Sequence, residues 1–276
     1  MHRPMTEADL PRAAALSAAV GWNQTEADWQ VFLRQGRVRV LDDGDAGCLA
    51  ATAATLCHSP DLAWISMVLV RPDRRRQGLA TALMEWALDD LAGTRCIALD
   101  ATPAGREVYA RMGFRGLRSF TRWQVAHALP EAAGAATRPV READWPGLLA
   151  LEEEAFGTAR VALLRGFAAR LPEAAWVAEG PQGLRGFALG RDGVRAPQIG
   201  PVVARDAAAG CALIASARAC IGRPALLDLG DAAAEVACWL AAHGAERERP
   251  FTRMVLGAEM PAHAELLLGM AGPEFG

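Results

Sequence analysis

Val68-Leu69-Val70-Arg71-Pro72-Asp73-Arg74-Arg75-Arg76-Gln77-Gly78-Leu79-Ala80 runs from an apolar strand, through a basic turn, into a helix that begins on glycine and small residues. The first-turn N–H groups of a helix have no intrahelical partners and carry the positive end of its dipole. A phosphate placed there meets several donors at once. Gly78 lets it approach the backbone, and Ala80 keeps the next turn open. Arg74, Arg75 and Arg76 add positive potential and forked hydrogen bonds. The residues fit a di-anionic ligand such as a pyrophosphate; a solvated basic turn ahead of an ordinary helix fits them equally.

Outward from this turn, Gly78–Leu91 reads as a helix with Leu79, Leu83, Trp86 and Leu88 on its apolar face, and Trp64–Val70 as the preceding strand. Cys96–Asp100 is a short buried strand, Ala104–Met112 a helix ended by Gly113, and Leu117–Val125 a last strand. Upstream, Thr6 caps a helix running to Val20, and Thr25–Gly36 is a second helix. Arg37–Leu41 and Gly47–Cys57 are strands about the turn Asp42-Asp43-Gly44-Asp45.

The pattern occurs twice. Arg3-Pro4-Met5-Thr6-Glu7-Ala8-Asp9-Leu10-Pro11 matches Arg138-Pro139-Val140-Arg141-Glu142-Ala143-Asp144-Trp145-Pro146 at six positions. Gly113, Arg118, Phe120, Thr121 and Arg122 recur as Gly244, Arg249, Phe251, Thr252 and Arg253. Two matches at nearly one offset mark a tandem duplication. The expected domains are residues 1–126 and 138–276, joined by an alanine-rich linker, 127–137. In the second copy Trp145–Phe156, Ala207–Ala219 and Glu235–Ala242 read as helices. Ala175–Glu179, Gly186–Gly190, Ile199–Ala204, Ala225–Leu229 and Thr252–Leu256 read as strands. The repeated Phe-Thr-Arg reads as a strand-packing signature.

Composition removes other classes. All 29 basic residues of the 276 are arginine. Without lysine there is no G-x-x-x-x-G-K-[ST] phosphate loop and no Schiff-base chemistry. A net charge of −3 argues against a dedicated nucleic-acid binder, and no apolar run is long enough for a membrane span. Met1-His2-Arg3-Pro4 leads into polar residues without a signal-peptide core, so the expected location is cytoplasmic. Six cysteines without metal-ligand spacing read as buried small hydrophobes of a reducing compartment, and no metal is expected. Cys57 and His58 are adjacent in a strand and point to opposite faces, which argues against a catalytic pair.

The spacing Arg75-x-x-Gly78-x-Ala80 after Val68-Leu69-Val70 resembles the pyrophosphate-binding motif of the GNAT (GCN5-related N-acetyltransferase) superfamily. Tyr109-Ala110-Arg111-Met112-Gly113-Phe114 is similar to that superfamily's Y-x-x-x-G-F segment. The resemblance covers residues 1–125, and the second copy looks like a divergent relative, as in tandem bacterial members. It implies an α/β (α+β) fold of two tandem GNAT-type domains, each a mixed, mostly antiparallel sheet flanked by helices. It implies acetyl-CoA as cosubstrate and an N-acetyltransferase acting on an amine of a small molecule or peptide, by direct attack in a ternary complex. By the same resemblance Val68, Leu69 and Val70 lie along the pantetheine arm, and the amides of Arg76, Gln77, Gly78, Leu79, Ala80 and Thr81, with Arg75, hold the pyrophosphate. Thr102 stands where many members place a pantetheine-binding asparagine. Tyr109, the only tyrosine, becomes the general acid that protonates the leaving thiolate.

No general base is legible; Glu26, Asp28, His58 and Asp100 are the candidates, beside a water chain. The acceptor side is expected in segments 20–35 and 55–63, with Trp22 and Trp29. In the second copy Tyr109 becomes Leu240, and the basic turn becomes Val202-Val203-Ala204-Arg205-Asp206-Ala207-Ala208-Ala209-Gly210. That half is expected to be non-catalytic, with a homodimer left open. A non-catalytic acyl-CoA-binding or sensing protein is the alternative function.

Overall fold

Each half begins by closing the same ion pair. Arg3 donates to both carboxylate oxygens of Asp9 at 2.7 and 2.9 Å, and Arg138 to those of Asp144 at 2.7 and 2.8 Å. The same carboxylates accept the backbone N–H of Thr6 and of Arg141, at 2.9 and 2.7 Å. Amides ahead of a helix need such acceptors, so the repeated nine residues are a helix-starting unit.

The structure, a computed structural model, describes residues 2–44, 47–132, 134–181, 183–260, 263 and 265–276. Met1, Asp45 of the expected turn and Ala133 of the expected linker lie outside the described residues. The first half contains β1 (Arg3–Pro4), α1 (Leu10–Ala19), α2 (Glu26–Gln35), β2 (Arg37–Asp42), β3 (Leu49–Ser59), β4 (Leu62–Val70), α3 (Leu79–Asp90), β5 (Cys96–Ala101), α4 (Pro103–Arg111) and β6 (Arg115–Val125). The second contains β7 (Thr137–Pro139), α5 (Trp145–Phe156), α6 (Val161–Arg170), β8 (Trp176–Gly180), β9 (Gly183–Arg191), β10 (Gln198–Ala204), α7 (Ala207–Ile221), β11 (Ala225–Gly230), α8 (Ala234–Ala242), β12 (Glu246–Gly257) and β13 (Leu267–Gly269).

The sheets of the two halves join into one mixed sheet, ordered β1-β2-β3-β4-β5-β12-β6-β11-β13-β10-β9-β8-β7. The β4–β5 and β10–β11 pairs are parallel, and the other neighbours are antiparallel. At the centre the halves exchange their last long strands. β12 pairs with β5 of the first half (Met254 opposite Leu99), while β6 pairs with β11 of the second (Arg122 opposite Asp228). The repeated Phe-Thr-Arg sits at this seam. Phe120 stacks on Phe251 with centroids 5.0 Å apart, Arg122 forks onto Asp228 at 2.7 Å, and Arg253 forks onto Asp100 at 2.9 and 2.8 Å. Each arginine thus neutralises a carboxylate of the other half, in a core where an unpaired charge would be very costly.

The cysteine expectation needs correction. Only Cys96 and Cys211 are buried; Cys48, Cys57, Cys220 and Cys238 are exposed, at a turn, a strand end and two outer helix faces. Among the described residues no helix is long and apolar enough to cross a membrane, and no cluster of three or more metal-ligating side chains occurs.

Candidate active site

The site begins with a defect in β4. Thr52 pairs with Leu69 and Ala54 with Ser66, so Met67 and Val68 oppose the single residue Ala53. In this bulge Met67 adopts φ +53°, and its carbonyl accepts the Thr52 hydroxyl at 2.8 Å. A non-glycine residue there stores about 1–3 kcal/mol, and such strain tends to mark working parts of a protein. β4 pairs with β5 only from Leu62 to Trp64, opposite Cys96 to Ala98. Beyond that point the two strands diverge and leave an opening in the sheet.

α3 starts at the mouth of this opening. Arg76 and Gly78 are left-handed, at φ +62° and +77°, and curl the turn so that the helix starts without a side-chain cap. No atom lies within 4 Å of where a Gly78 Cβ would stand. The three arginines of the turn divide. Arg74 pairs with Asp43 at 2.7 Å, whereas Arg75 and Arg76 are exposed and make no ion pair among the described residues. Val68, Leu69, Val70, Arg75, Arg76, Gly78, Leu79, Ala80, Thr81, Thr102 and Tyr109 line one cleft of about 500 Å³. Gln77 is exposed and does not line it. Thr102 caps α4, its hydroxyl oxygen accepting the Gly105 N–H at 3.3 Å.

Tyr109 stands where this cleft meets a second cavity of about 80 Å³, which shares Trp22, Val68 and Thr102 with it. Burial pushes the Tyr109 phenol up to about 12, so it stays protonated at neutral pH. Gln24, Ser66, Asp100, Arg122, Arg249 and Glu274 supply polar groups to the smaller cavity. Gln24 lies in the expected acceptor segment 20–35 without having been singled out, and the sequence did not point to Ser66, Arg249 or Glu274. Arg249 carried a signal, as the repeat partner of Arg118; Glu274 carried none.

The base candidates need correction. Asp28 is fully buried between Arg170 and Arg191, at 2.8 and 2.9 Å. Asp100 lines the small cavity, but both its oxygens are held by Arg253. Glu26 is exposed and reaches neither cavity, and Trp29 is core, bonded to the Ser17 hydroxyl at 3.1 Å. His58 packs between Trp64 and Phe156 outside both cavities. Burial, with Arg160 nearby, pulls its imidazole down to about 3 from 6.5. The unfolded chain therefore takes up this proton first, and stability is lost as pH falls from about 6.5 towards 3. His58→Leu is expected to flatten that fall by on the order of 3 kcal/mol between pH 7 and 4.5. Urea unfolding at the two pH values measures it, and an undiminished slope would rule the role out.

The second half closes the equivalent places. β10 and β11 pair in parallel at Gln198–Ile199 and Leu226–Leu227, and β13 then lies between them, with Gly269 opposite both Val202 and Leu229. Gly210 of α7 packs so tightly on this segment that a Cβ would stand 2.4 Å from Leu268. Asp206 caps α7 itself, accepting the Ala209 N–H at 2.9 Å. Leu240 replaces the tyrosine and is fully buried.

Residues 14–114 match the family described as Acetyltransferase (GNAT) family, and residues 148–269 match Acetyltransferase (GNAT) domain. No curated protein matches the chain. Among solved structures, the chain is similar to a Pyrococcus horikoshii protein assigned as an acetyltransferase (TM-score 0.83, 17% identity, 100% of this chain and 95% of that one). A GCN5-related N-acetyltransferase from Sphaerobacter thermophilus gives TM-score 0.66 at 18% identity over 95% of this chain and 98% of that one. A tandem GNAT protein from the clavulanic acid biosynthesis pathway gives 0.62 at 16% identity over 94% and 99%. At these identities the likeness is one of fold.

Proposed function

The chain belongs to the GNAT acetyltransferase family in both of its halves, and from that premise we propose that the first half transfers an acetyl group from acetyl-CoA to a primary amine. One observation carries the reading: the uncapped start of α3 and the protonated Tyr109 lie along one cleft beside the divergence of β4 and β5. The residues present fit such a cosubstrate. The free N–H groups at Leu79, Ala80 and Thr81, with Arg75 and Arg76 beside them, would take the pyrophosphate. The edge of β4 at Val68–Val70 would take the pantetheine arm, and Thr102 keeps a hydroxyl proton to donate there. When bound, acetyl-CoA supplies a thioester whose carbonyl carbon accepts an amine and whose sulfur leaves. Tyr109 Oη would give that sulfur its proton.

We read the second half as non-catalytic: its strand opening is filled by β13 and its helix start is occupied by Asp206. Calorimetric titration with acetyl-CoA is expected to give one site per chain. Two sites would overturn this reading of the second half. Arg75→Ala with Arg76→Ala is expected to weaken binding roughly 10-fold at low salt, with the difference shrinking as salt screens the charges. Thiol release from acetyl-CoA across a panel of amines tests the transfer itself. Binding without release on any amine would favour an acyl-CoA-binding or sensing protein.

A further inference from the structure

The small cavity behind Tyr109 has an imbalance of hydrogen-bonding groups. Of its charged lining, Asp100 and Arg122 are closed by Arg253 and Asp228. Glu274 gives Oε1 to Arg191, while its Oε2 makes no close hydrogen bond among the described residues, and the Gln24 side chain beside the carboxylate favours its charged form. Gln24 Oε1 and Ser66 Oγ are buried and unpartnered as well. These three residues are only 3, 4 and 7% exposed. Three buried oxygens, one on each of three residues that line this cavity, lack a close donor, and a primary ammonium brings three N–H groups with a charge that suits the carboxylate.

Arg249 has the opposite need. It enters the cavity from β12 of the second half with its Nε buried and unpartnered. Its nearest carboxylate, Glu248, stands 3.9 Å away and is engaged by Arg195 at 2.9 and 3.1 Å. A guanidinium left so in a half-buried wall is a site for an anion, and its fork matches a carboxylate.

The geometry points to a small α-amino acid as the acceptor, its ammonium held by Glu274, Gln24 and Ser66 and its carboxylate by Arg249. This rests on the acetyl-transfer reading and narrows its substrate to compact zwitterions, which suit a cavity of about 80 Å³. Glu274 is then the base. Its Oε2 takes one ammonium proton, and the freed nitrogen pair forms the N–C bond to the thioester carbonyl carbon. The C–S bond breaks with its pair on sulfur, which takes the Tyr109 proton. The nitrogen's second departing proton restores the phenol, and Glu274 releases its own to solvent. Burial raises the Glu274 carboxyl, so the acidic limb of kcat/KM is expected above the ordinary carboxylate range.

The test titrates the protein, without acetyl-CoA, with glycine, L-alanine and L-leucine and with the matched amines lacking the carboxylate: methylamine, ethylamine and isopentylamine. Thiol release from acetyl-CoA is followed with the same six compounds. At least one amino acid is expected to bind 10-fold or more tightly than its matched amine, and R249M to erase that preference. E274Q keeps an acceptor for Arg191. It is expected to cut kcat about 100-fold, with a smaller change in KM, and to remove the acidic limb of the pH profile.

Equal binding of amino acids and amines, binding by neither, or a preference that survives R249M overturns the zwitterion assignment. Wild-type turnover and pH profile in E274Q overturn the base. Thiol release without amino-acid preference removes this inference and leaves the transfer reading standing. Amino-acid binding that obeys Arg249, with no thiol release for any compound, removes transfer and leaves the recognition site.

Discussion

Tyr109→Phe is expected to lower turnover by about 100-fold while acetyl-CoA affinity stays within about twofold, because a general acid contributes to the chemical step and not to cosubstrate binding. The anion site at Leu79–Thr81 and the β4 edge contain no part of the phenol. The ring keeps its T-shaped contact with Phe114, centroids 6.3 Å apart, so phenylalanine removes little but the hydroxyl. Since burial holds the phenol near 12, activity is expected to show no loss from its ionisation anywhere in the neutral range. A second variant tests position without removing the group. A Cβ on Gly105 would stand 2.9 Å from Tyr109 Cε2, so Gly105→Ala is expected to displace the ring and lower kcat as well. Pre-steady-state thiol release and calorimetry separate the two effects. Full turnover in Tyr109→Phe would remove the tyrosine from the mechanism.

Arg253→Met is expected to cost about 3–5 kcal/mol of stability. Arg253 and Asp100 have fully buried side chains, and the guanidinium also lies 4.6 Å from the Trp64 ring centroid. Methionine fills much of the volume but leaves the Asp100 carboxylate buried without its cation. Adding Asp100→Asn is expected to recover part of the loss. For contrast, Arg165–Glu142 is exposed on both sides, and Arg165→Met there is expected to change stability by less than about 1 kcal/mol. Urea unfolding of the three variants measures these differences. A loss below about 1 kcal/mol in Arg253→Met would mean that the exchanged strands are held by something other than this pair.

Much of the local chemistry was legible in the sequence because it depended on neighbours along the chain. The basic turn, the glycine before α3 and the nine-residue repeat all became structure because dihedral preferences and helix-end hydrogen bonds act over a few residues. α6 was missed because Val161-Ala162-Leu163-Leu164 opens without an acid or a capping side chain. β13 is three residues long and has no turn signal of its own. The strand exchange was not legible at all. β12 has the same pattern whichever half it joins, and the partner it takes is marked by distant pairs, Arg253 with Asp100 and Arg122 with Asp228. Glu274 is a lone acid in Gly272-Pro273-Glu274-Phe275; its place behind Tyr109 follows from the course of the chain after β13.

The central exchange also sets an order of events during synthesis. Residue 101 of β5 waits for residue 252 before its outer edge is covered, and β6 emerges well before its neighbours on either side exist. A ribosome that has released the first half has released an open sheet, ready to pair with any other chain. Translation paused between the halves would therefore favour chain-to-chain pairing, and two chains meeting there could trade strands in the same register. The fused gene avoids this by keeping the right strand tethered, at high local concentration, to the edge that needs it.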